Sequence, residues 1–293
     1  MAVRITTLSE NTVSRLGLLA EWGLSILVET DSTRVLLDTG LGISAAHNAD
    51  AMKVDLSGID KIVLSHGHPD HTGGLRDILR KTGEVEVIAH PHVWGKYIRP
   101  EGRRPRYMGI PFCQAELESL GASFTFTRDP VQISDEIMTT GEIPLRTDFE
   151  DVEYRNGYIE EGDRLMPDQL LDDQGLIIKT EVGLMVILGC AHRGLINTLR
   201  HAQKLTGEER IHTVVGGTHL HIASAERVEQ TISALKEFGI ARLGVSHCTG
   251  FPAAARLAHE FGDVFFVNNA GTSITWPEEE EEGTTQSGRI AAP

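Results

Sequence analysis

One six-residue segment constrains this chain more than any other feature of its sequence. The apolar run 62–65 leads directly into the sequence His66-Gly-His68-Pro-Asp70-His71. Neither a regular helix nor a regular strand can point four side chains at this spacing to one place. On a tight loop they can divide between two metal ions, His66 and His68 at one and Asp70 and His71 at the other. Imidazole and carboxylate suit Zn²⁺, Fe or Mn²⁺, so the segment predicts a binuclear metal site.

The other histidines are placed in a similar way. Nine of the thirteen histidines lie just beyond the end of a predicted strand. Loops past strand ends are where layered α/β proteins bind ligands, so this placement predicts one shared site. The nine are His66, His68, His71, His90, His92, His192, His219, His221 and His247.

Apolar segments alternate with helical ones along most of the chain, which predicts an α/β protein built in layers. Predicted strands cover 3–8, 24–29, 34–38, 60–65, 85–89, 175–180, 184–188, 213–215, 242–245 and 264–267. Predicted helices cover 75–81, 196–205, 225–238 and 252–261. We expect a single domain over 1–276, with an inserted cap region at about 90–166 that lies over the site. The segment 277–293, with five consecutive glutamates, is predicted to be a disordered acidic tail.

The motif His66-x-His68-x-Asp70-His71 after an apolar strand resembles the signature of the metallo-β-lactamase superfamily. The resemblance implies a four-layer αββα sandwich that reaches to about residue 276. It also implies that His192 completes the first metal site and His247 the second. The turn Asp38-Thr39-Gly40 is similar to a superfamily element whose aspartate supports the metal loop, and a plain turn aspartate is the alternative.

The sequence departs from the superfamily at the carboxylate that bridges the two metals in many members. In this sequence Cys190 occupies the strand end where many members have that aspartate. Cys190 is either a thiolate ligand or an inert buried thiol. Asp172 and Asp173 could supply a carboxylate instead, or they could lie in a surface turn. His219 is either a structural histidine or a substrate-facing general acid or hydrogen-bond donor. Asp70 is expected to accept a proton as well as to bind metal.

Three further segments, LGCAHRGLIN, VVGGTHL and SHCTG, look like one branch of the superfamily, the 7,8-dihydropterin-6-methyl-4-(β-D-ribofuranosyl)aminobenzene 5′-phosphate synthases. The segment RRPRYMGIPF is similar to an arginine-bearing loop of that branch. Arginine forks match phosphate oxygens, so these side chains are predicted to bind an anionic substrate, with a solvated charged loop as the alternative. The arginines are Arg99, Arg103, Arg104 and Arg106.

These features favour an enzyme. We expect a hydrolase with two divalent ions, zinc first and manganese or iron as alternatives, that acts with a metal-activated water on a small anionic, phosphate-containing, pterin-like or nucleotide-like substrate. The alternatives are a dihydropterin diphosphate-dependent synthase, which condenses its substrates with loss of diphosphate, a lactonase or thioesterase, and a protein that binds pterin or nucleotide without turnover.

Composition limits the partners of the chain. Its 42 acidic and 27 basic residues give a net charge of −15, which argues against stable nucleic-acid binding. No apolar run is long enough for a membrane span, and no secretory signal is evident. Three cysteines fit a reducing cytoplasm better than a disulfide scaffold. We expect a cytoplasmic protein that forms no membrane contact and could form a homo-oligomer.

Overall fold

A computed structural model of the chain describes residues 1–98, 103–152 and 157–277. The strands of this part of the chain are β1 Val3–Ser9, β2 Ser25–Thr30, β3 Arg34–Leu37, β4 Lys61–Val63, β5 Val85–Ala89, β6 Lys96–Ile98, β7 Arg106–Tyr107, β8 Ala122–Phe126, β9 Ile137–Thr139, β10 Gly157–Glu161, β11 Arg164–Pro167, β12 Gly175–Thr180, β13 Gly183–Leu188, β14 Ile211–Gly217, β15 Arg242–Ser246 and β16 Ser273–Trp276. The helices are α1 Ser44–Met52, α2 Pro69–Thr72, α3 Leu75–Thr82, α4 Gln114–Ser119, α5 Leu195–Thr206, α6 Ala225–Glu237 and α7 Phe251–Phe261.

Two large sheets form the centre of the molecule. The first has seven strands in the order β16-β1-β2-β3-β4-β5-β8, and the second has five in the order β15-β14-β13-β12-β9. Each sheet contains a parallel block, β3-β4-β5-β8 in the first and β13-β14-β15 in the second. The carboxyl ends of parallel strands meet at one edge, so both sheets offer an edge suited to a binding site.

Alternating apolar residues explain the layers. In β3, Val35 and Leu37 join the core between the two sheets, whereas Leu36 packs on the other side with residues of α1, α3 and α4. In β13, Met185 and Ile187 face the same central core, and neighbouring residues of the strand pack with α5, α6 and α7. A strand buried on both faces is expected to be apolar at every position. The result is the predicted helix–sheet–sheet–helix sandwich.

The region 90–166 is more integrated than an inserted cap. Its strands β8 and β9 pair with β5 and β12, so they belong to the two large sheets. Only β6, β7, β10 and β11 form a separate small sheet. The helix α4 packs on the first large sheet through Leu117. The separate sheet therefore comes from the two ends of the region alone.

One predicted strand is wrong. Residues 264–267 are expected to form a strand, but the chain makes a short 3₁₀ turn at Gly262–Val264 and then a single bridge between Leu243 and Phe265. An apolar run can pack against a sheet edge without pairing along its length, which explains the error. Arg99 and most of the predicted tail, 278–293, lie outside the described residues.

The helices of the described ranges are short compared with the thickness of a bilayer. None of them is both long enough and apolar enough to cross it.

Candidate metal centre

The first group of predicted ligands comes together where strand ends of the two large sheets lie next to each other. His66 and His68 follow β4 of the first sheet, and His192 follows β13 of the second. His66 Nε2 lies 3.0 Å from His68 Nδ1 and 3.2 Å from His192 Nε2. All three side chains are buried, and their ligand atoms lie within 4.8 Å of one another. We call these three residues the imidazole triad.

A second group adjoins the first. The short helix α2 carries Asp70 and His71, and the turn after β15 carries His247. His247 Nε2 lies 3.2 Å from His71 Nε2 and 3.3 Å from Asp70 Oδ2. These three ligand atoms also lie within 4.8 Å of one another. We call this group the carboxylate triad, since it contains the acidic donor.

Cys190 lies between the two triads. Its Sγ is 3.1 Å from His71 Nε2, and the thiol forms donor groups both with His66 and His71 and with His192 and His219. The rings of His66 and His71 are themselves 4.2 Å apart. Burial raises the pKa of the Cys190 thiol. The two triads are thus halves of one continuous cluster, with a sulfur atom at their junction.

Asp38 supports this cluster through its contacts with Ser65 and His71. The residue is fully buried and has a left-handed backbone, with φ of 60°. Its carboxylate accepts hydrogen bonds from Ser65 N at 2.7 Å and Ser65 Oγ at 2.6 Å, and it lies 2.7 Å from His71 Nδ1. A carboxylate on the far nitrogen of a histidine orients the ring and leaves Nε2 for a metal. These are the contacts that the sequence interpretation of Asp38 requires.

The loop of the imidazole triad is held by a buried ion pair. Asp172 Oδ2 accepts a hydrogen bond from Gly67 N at 2.9 Å. Its other oxygen pairs with Lys96 Nζ at 2.7 Å, and Lys96 also contacts Asp168 at 2.8 Å. A Cβ on Gly67 would lie 1.9 Å from Val93 O, so the loop can approach the turn before β6 only with glycine at this position.

The sequence allows Asp172 and Asp173 either to supply a bridging carboxylate or to lie in a surface turn, and the structure supports neither interpretation. Both residues are buried, and neither contributes to a donor group among the described residues. Asp173 Oδ2 instead accepts a hydrogen bond from Arg193 N at 2.9 Å, next to His192. The two aspartates hold the backbone of the two loops that supply the imidazole triad.

The supports of the carboxylate triad were missed by sequence reasoning. Glu10 Oε1 accepts a hydrogen bond from His247 N at 2.7 Å, and Asn11 Oδ1 lies 2.9 Å from His247 Nδ1. Trp22 Nε1 donates to Asp70 Oδ2 at 3.0 Å. Glu10 and Asn11 follow directly after β1, so the rule that polar side chains gather past strand ends could have found them.

The remaining predicted residues lie in different places. His219 follows β14, has a φ of 51°, and its ring is 4.2 Å from that of His192, so it lies beside the imidazole triad. Arg103, Arg104 and Arg106 are exposed, and Arg106 lies on β7 of the small sheet. None of the described contacts joins these three arginines to either triad. The role of each of these residues stays a prediction.

Electrostatics favour cation binding in the cluster. Burial lowers the pKa of His66 and His192 and brings that of His68 to about 4, so the imidazole triad is in the neutral form that binds metals. Burial lowers the pKa of His71, but Asp38 and Asp70 outweigh it and raise the value to about 9. Although burial opposes it, the neighbouring His71 and His247 lower the pKa of Asp70. The carboxylate triad therefore holds a proton on His71, which an ion bound by this triad would displace.

The donor set fits divalent metal ions. Five imidazoles and one carboxylate converge in two groups of three, and a thiol lies between the groups. Nitrogen and oxygen donors with sulfur nearby suit zinc, iron or manganese, and two adjacent three-donor groups suit a pair of ions.

Comparison with known proteins agrees with the fold. The metallo-β-lactamase superfamily model matches residues 23–150. The chain is 33% identical over 267 residues to the 7,8-dihydropterin-6-methyl-4-(β-D-ribofuranosyl)-aminobenzene-5′-phosphate synthase of Methanocaldococcus jannaschii, covering 87% of this chain and 90% of the relative.

Solved structures extend the comparison. Tm1679, described as a metal-dependent hydrolase of the β-lactamase superfamily, has a TM-score of 0.81 and 29% identity, with coverage of 93% of this chain and 98% of that one. Zn²⁺-bound PqqB from Methylobacterium extorquens shares the fold, with a TM-score of 0.53 and 12% identity over 94% of this chain and 99% of that one. Taken with the donor groups and the sandwich, these matches place the chain in the metallo-β-lactamase superfamily.

Proposed function

We propose that this chain is a hydrolase with a binuclear divalent metal site that acts on a small anionic substrate. The observation that carries the proposal is the contact between the two triads. Each supplies three donor atoms that lie within 4.8 Å of one another, and His66 and His71 join the triads at a ring distance of 4.2 Å. His66, His68 and His192 would hold one ion, and Asp70, His71 and His247 the other.

The bound ions would supply Lewis acidity and a water of lowered pKa at neutral pH. The residues of the chain position the reactants around them. The side chain of Asp70 is 18% exposed, whereas those of His71 and His247 are fully buried, so Asp70 is the residue of its triad most open to substrate, and we propose that it exchanges a proton there. His219 lies beside His192 and would donate a hydrogen bond to the substrate as it reacts.

A phosphate-containing substrate, pterin-like or nucleotide-like, fits the charges on the surface. Arg103, Arg104 and Arg106 are exposed on a chain whose net charge is −15. Guanidinium forks bind phosphate oxygens in bidentate geometry. We propose that these arginines, together with Arg99, attract the anionic end of the substrate.

A synthase is the second candidate, and the similarity to the archaeal synthase over 87% of the chain favours it. In that case the same site would act on a dihydropterin diphosphate, and a second substrate would replace water as the nucleophile while diphosphate leaves. Both candidates need the same two ions and the same triads.

Metal analysis combined with product analysis tests the proposal. We expect two equivalents of zinc, manganese or iron per chain, loss of turnover on chelation, and recovery on adding metal back. Phosphate esters and a dihydropterin diphosphate are the substrates to compare, since hydrolysis and condensation release different organic products. Full turnover by the metal-free chain would contradict both candidates, whereas condensation without hydrolysis would leave the synthase alone.

We further propose a cytoplasmic protein with small-molecule rather than nucleic-acid partners, and a homo-oligomer as its assembly. All three cysteines are free thiols, which supports a reducing compartment. The acidic net charge argues against a nucleic-acid partner.

A further inference from the structure

Trp22 is a large aromatic side chain left open beside the metal centre. Its ring lies 5.3 Å from that of His247 and 6.2 Å from that of His221, and the residue is 52% exposed. Burying an aromatic ring is favourable, so an exposed tryptophan next to a cluster of donors calls for an explanation. The hydrogen bond from Nε1 to Asp70 Oδ2 uses its polar edge, and about half of the residue remains exposed to solvent.

The backbone on both sides of Trp22 is fixed. The Glu21 carboxylate accepts hydrogen bonds from four consecutive backbone amides, those of residues 41–44. On the other side, Leu24 N donates to Asp70 O at 3.1 Å. A Cβ on Gly23 would lie 2.7 Å from Asp70 O, so the chain passes directly against the metal loop. The ring is therefore held in place before any ligand arrives, which lowers the entropy cost of binding.

Two more exposed apolar side chains border the same end of the centre. Ile222 follows His221 and is 54% exposed, and Phe251 follows Gly250 and is 85% exposed. A Cβ on Gly250 would lie 2.7 Å from the Cβ of His221, so the turns that carry Ile222 and Phe251 are in contact. These turns adjoin Trp22 through His221, so exposed apolar side chains are available on the chain segments next to the ring.

We propose that Trp22 is a stacking platform for a planar heteroaromatic ring, and that the ring belongs to the substrate of the metal centre. The inference rests on the proposed function for the identity of that substrate, but the binding of the ring itself does not require metal chemistry. An offset stack on the exposed part of the ring needs a flat partner, and the hydrogen bond to Asp70 holds the plane of the ring. The ring end of the substrate would then lie at the carboxylate triad.

Calorimetry of the metal-loaded chain with 6-methylpterin tests this inference, because the probe is planar and carries no phosphate. Trp22→Ala should weaken binding roughly 5- to 150-fold, the range found when a stacking aromatic is removed from a base. Trp22→Phe is the matched control, since it also loses the hydrogen bond to Asp70 but keeps an aromatic face, and it should bind within about 3-fold of the parent chain. Metal content is measured in every sample.

Several outcomes would overturn the inference. These are an absence of 6-methylpterin binding to the parent chain, equal binding by Trp22→Ala, an equal loss in Trp22→Phe, and equal affinity for a saturated ring of the same size. A parent dimer that Trp22→Ala dissociates would show that a second copy covers the ring, and would also overturn it. If the chain binds two metal equivalents but no pterin, the stacking inference fails and the proposed function is unaffected. If the chain binds pterin through Trp22 but takes up no metal, the proposed function fails and the stacking inference is unaffected.

Discussion

The two triads differ although one six-residue loop supplies ligands to both. The imidazole triad has three neutral donors, and its loop is fixed from the side of β6 by the buried pair of Asp172 and Lys96. The carboxylate triad is charged, is fixed by Asp38, Glu10 and Asn11, and opens to solvent beside Trp22. A short loop can therefore build two unlike sites because its two ends are held by distant parts of the chain. Substitutions that disturb one triad should accordingly reduce metal binding there and leave the other triad intact.

The largest effect is expected at the only carboxylate of the triads. Asp70→Asn removes the negative donor, so we expect the loss of one metal equivalent and a fall in turnover of roughly 10²- to 10⁴-fold. Metal analysis and steady-state kinetics measure the two effects. Asp77→Asn, an exposed aspartate on α3, is the control and should change neither. Two retained equivalents with full turnover would remove Asp70 from the site.

The next prediction concerns the buried ion pair that supports the imidazole triad, and not the ligands themselves. Lys96→Met leaves Asp168 and Asp172 buried without a counter-charge, and breaking a buried pair in this way lowers the free energy of unfolding by about 3–5 kcal/mol. Chemical denaturation measures it. Lys81→Met breaks an exposed pair with Asp50 and should cost less than about 1 kcal/mol. Metal should be lost from the imidazole triad first, and equal effects of the two variants would contradict the comparison.

A smaller effect is expected when the support of the carboxylate triad is weakened. Asp38→Asn should lower metal affinity about 10- to 100-fold, the usual result of losing a carboxylate behind a ligating histidine. Competition with a zinc indicator measures the affinity. Asp50→Asn, an exposed aspartate on α1 that pairs with Lys81, is the control and should bind metal as tightly as the parent. Equal metal affinity in Asp38→Asn and the parent chain would show that Asp38 does not support the ligands.

The smallest effect concerns the exposed arginines that follow β6 along the chain. Because Arg103 and Arg104 are exposed, solvent weakens their attraction for phosphate, and replacing either with alanine should raise KM roughly 2- to 5-fold with kcat unchanged. Initial rates on a phosphate-bearing substrate measure this change. The same variants should be silent with a substrate that lacks phosphate, and an equal change there would assign the effect to folding.

Local patterns were enough to predict which side chains come together in the two triads. The spacing of His66, His68, Asp70 and His71 is visible in six residues, whereas His192 and His247 each follow a predicted strand and were assigned to the two sites through the resemblance to the superfamily. The layers could be predicted for a similar reason, since alternation along strands such as β3 and β13 is a local property. Chemistry that depends on neighbours in sequence, or on strand ends, can therefore be predicted from the amino-acid sequence alone.

What the supports bind could not be predicted, because their partners lie far away in the sequence. Asp172 meets Gly67 across 105 residues of sequence, and Glu10 meets His247 across 237. Nothing in the local sequence of Lys96 distinguishes it from an exposed lysine, and yet it is among the most buried side chains of the molecule. The 264–267 segment shows the opposite error, since its apolar residues predicted a strand where the fold supplies only one bridging partner.

Each triad takes its donors from both large sheets, so a bound ion would connect the two sheets. His66 and His68 follow a strand of the first sheet, whereas His192 and His247 follow strands of the second. An ion held by either triad would be a cross-link between the two halves of the sandwich, so its binding free energy would add to the free energy that holds them together. Chelation would then resemble the reduction of a disulfide: the sheets keep their own hydrogen bonds but separate more easily, and amide exchange in the core between them would report the change.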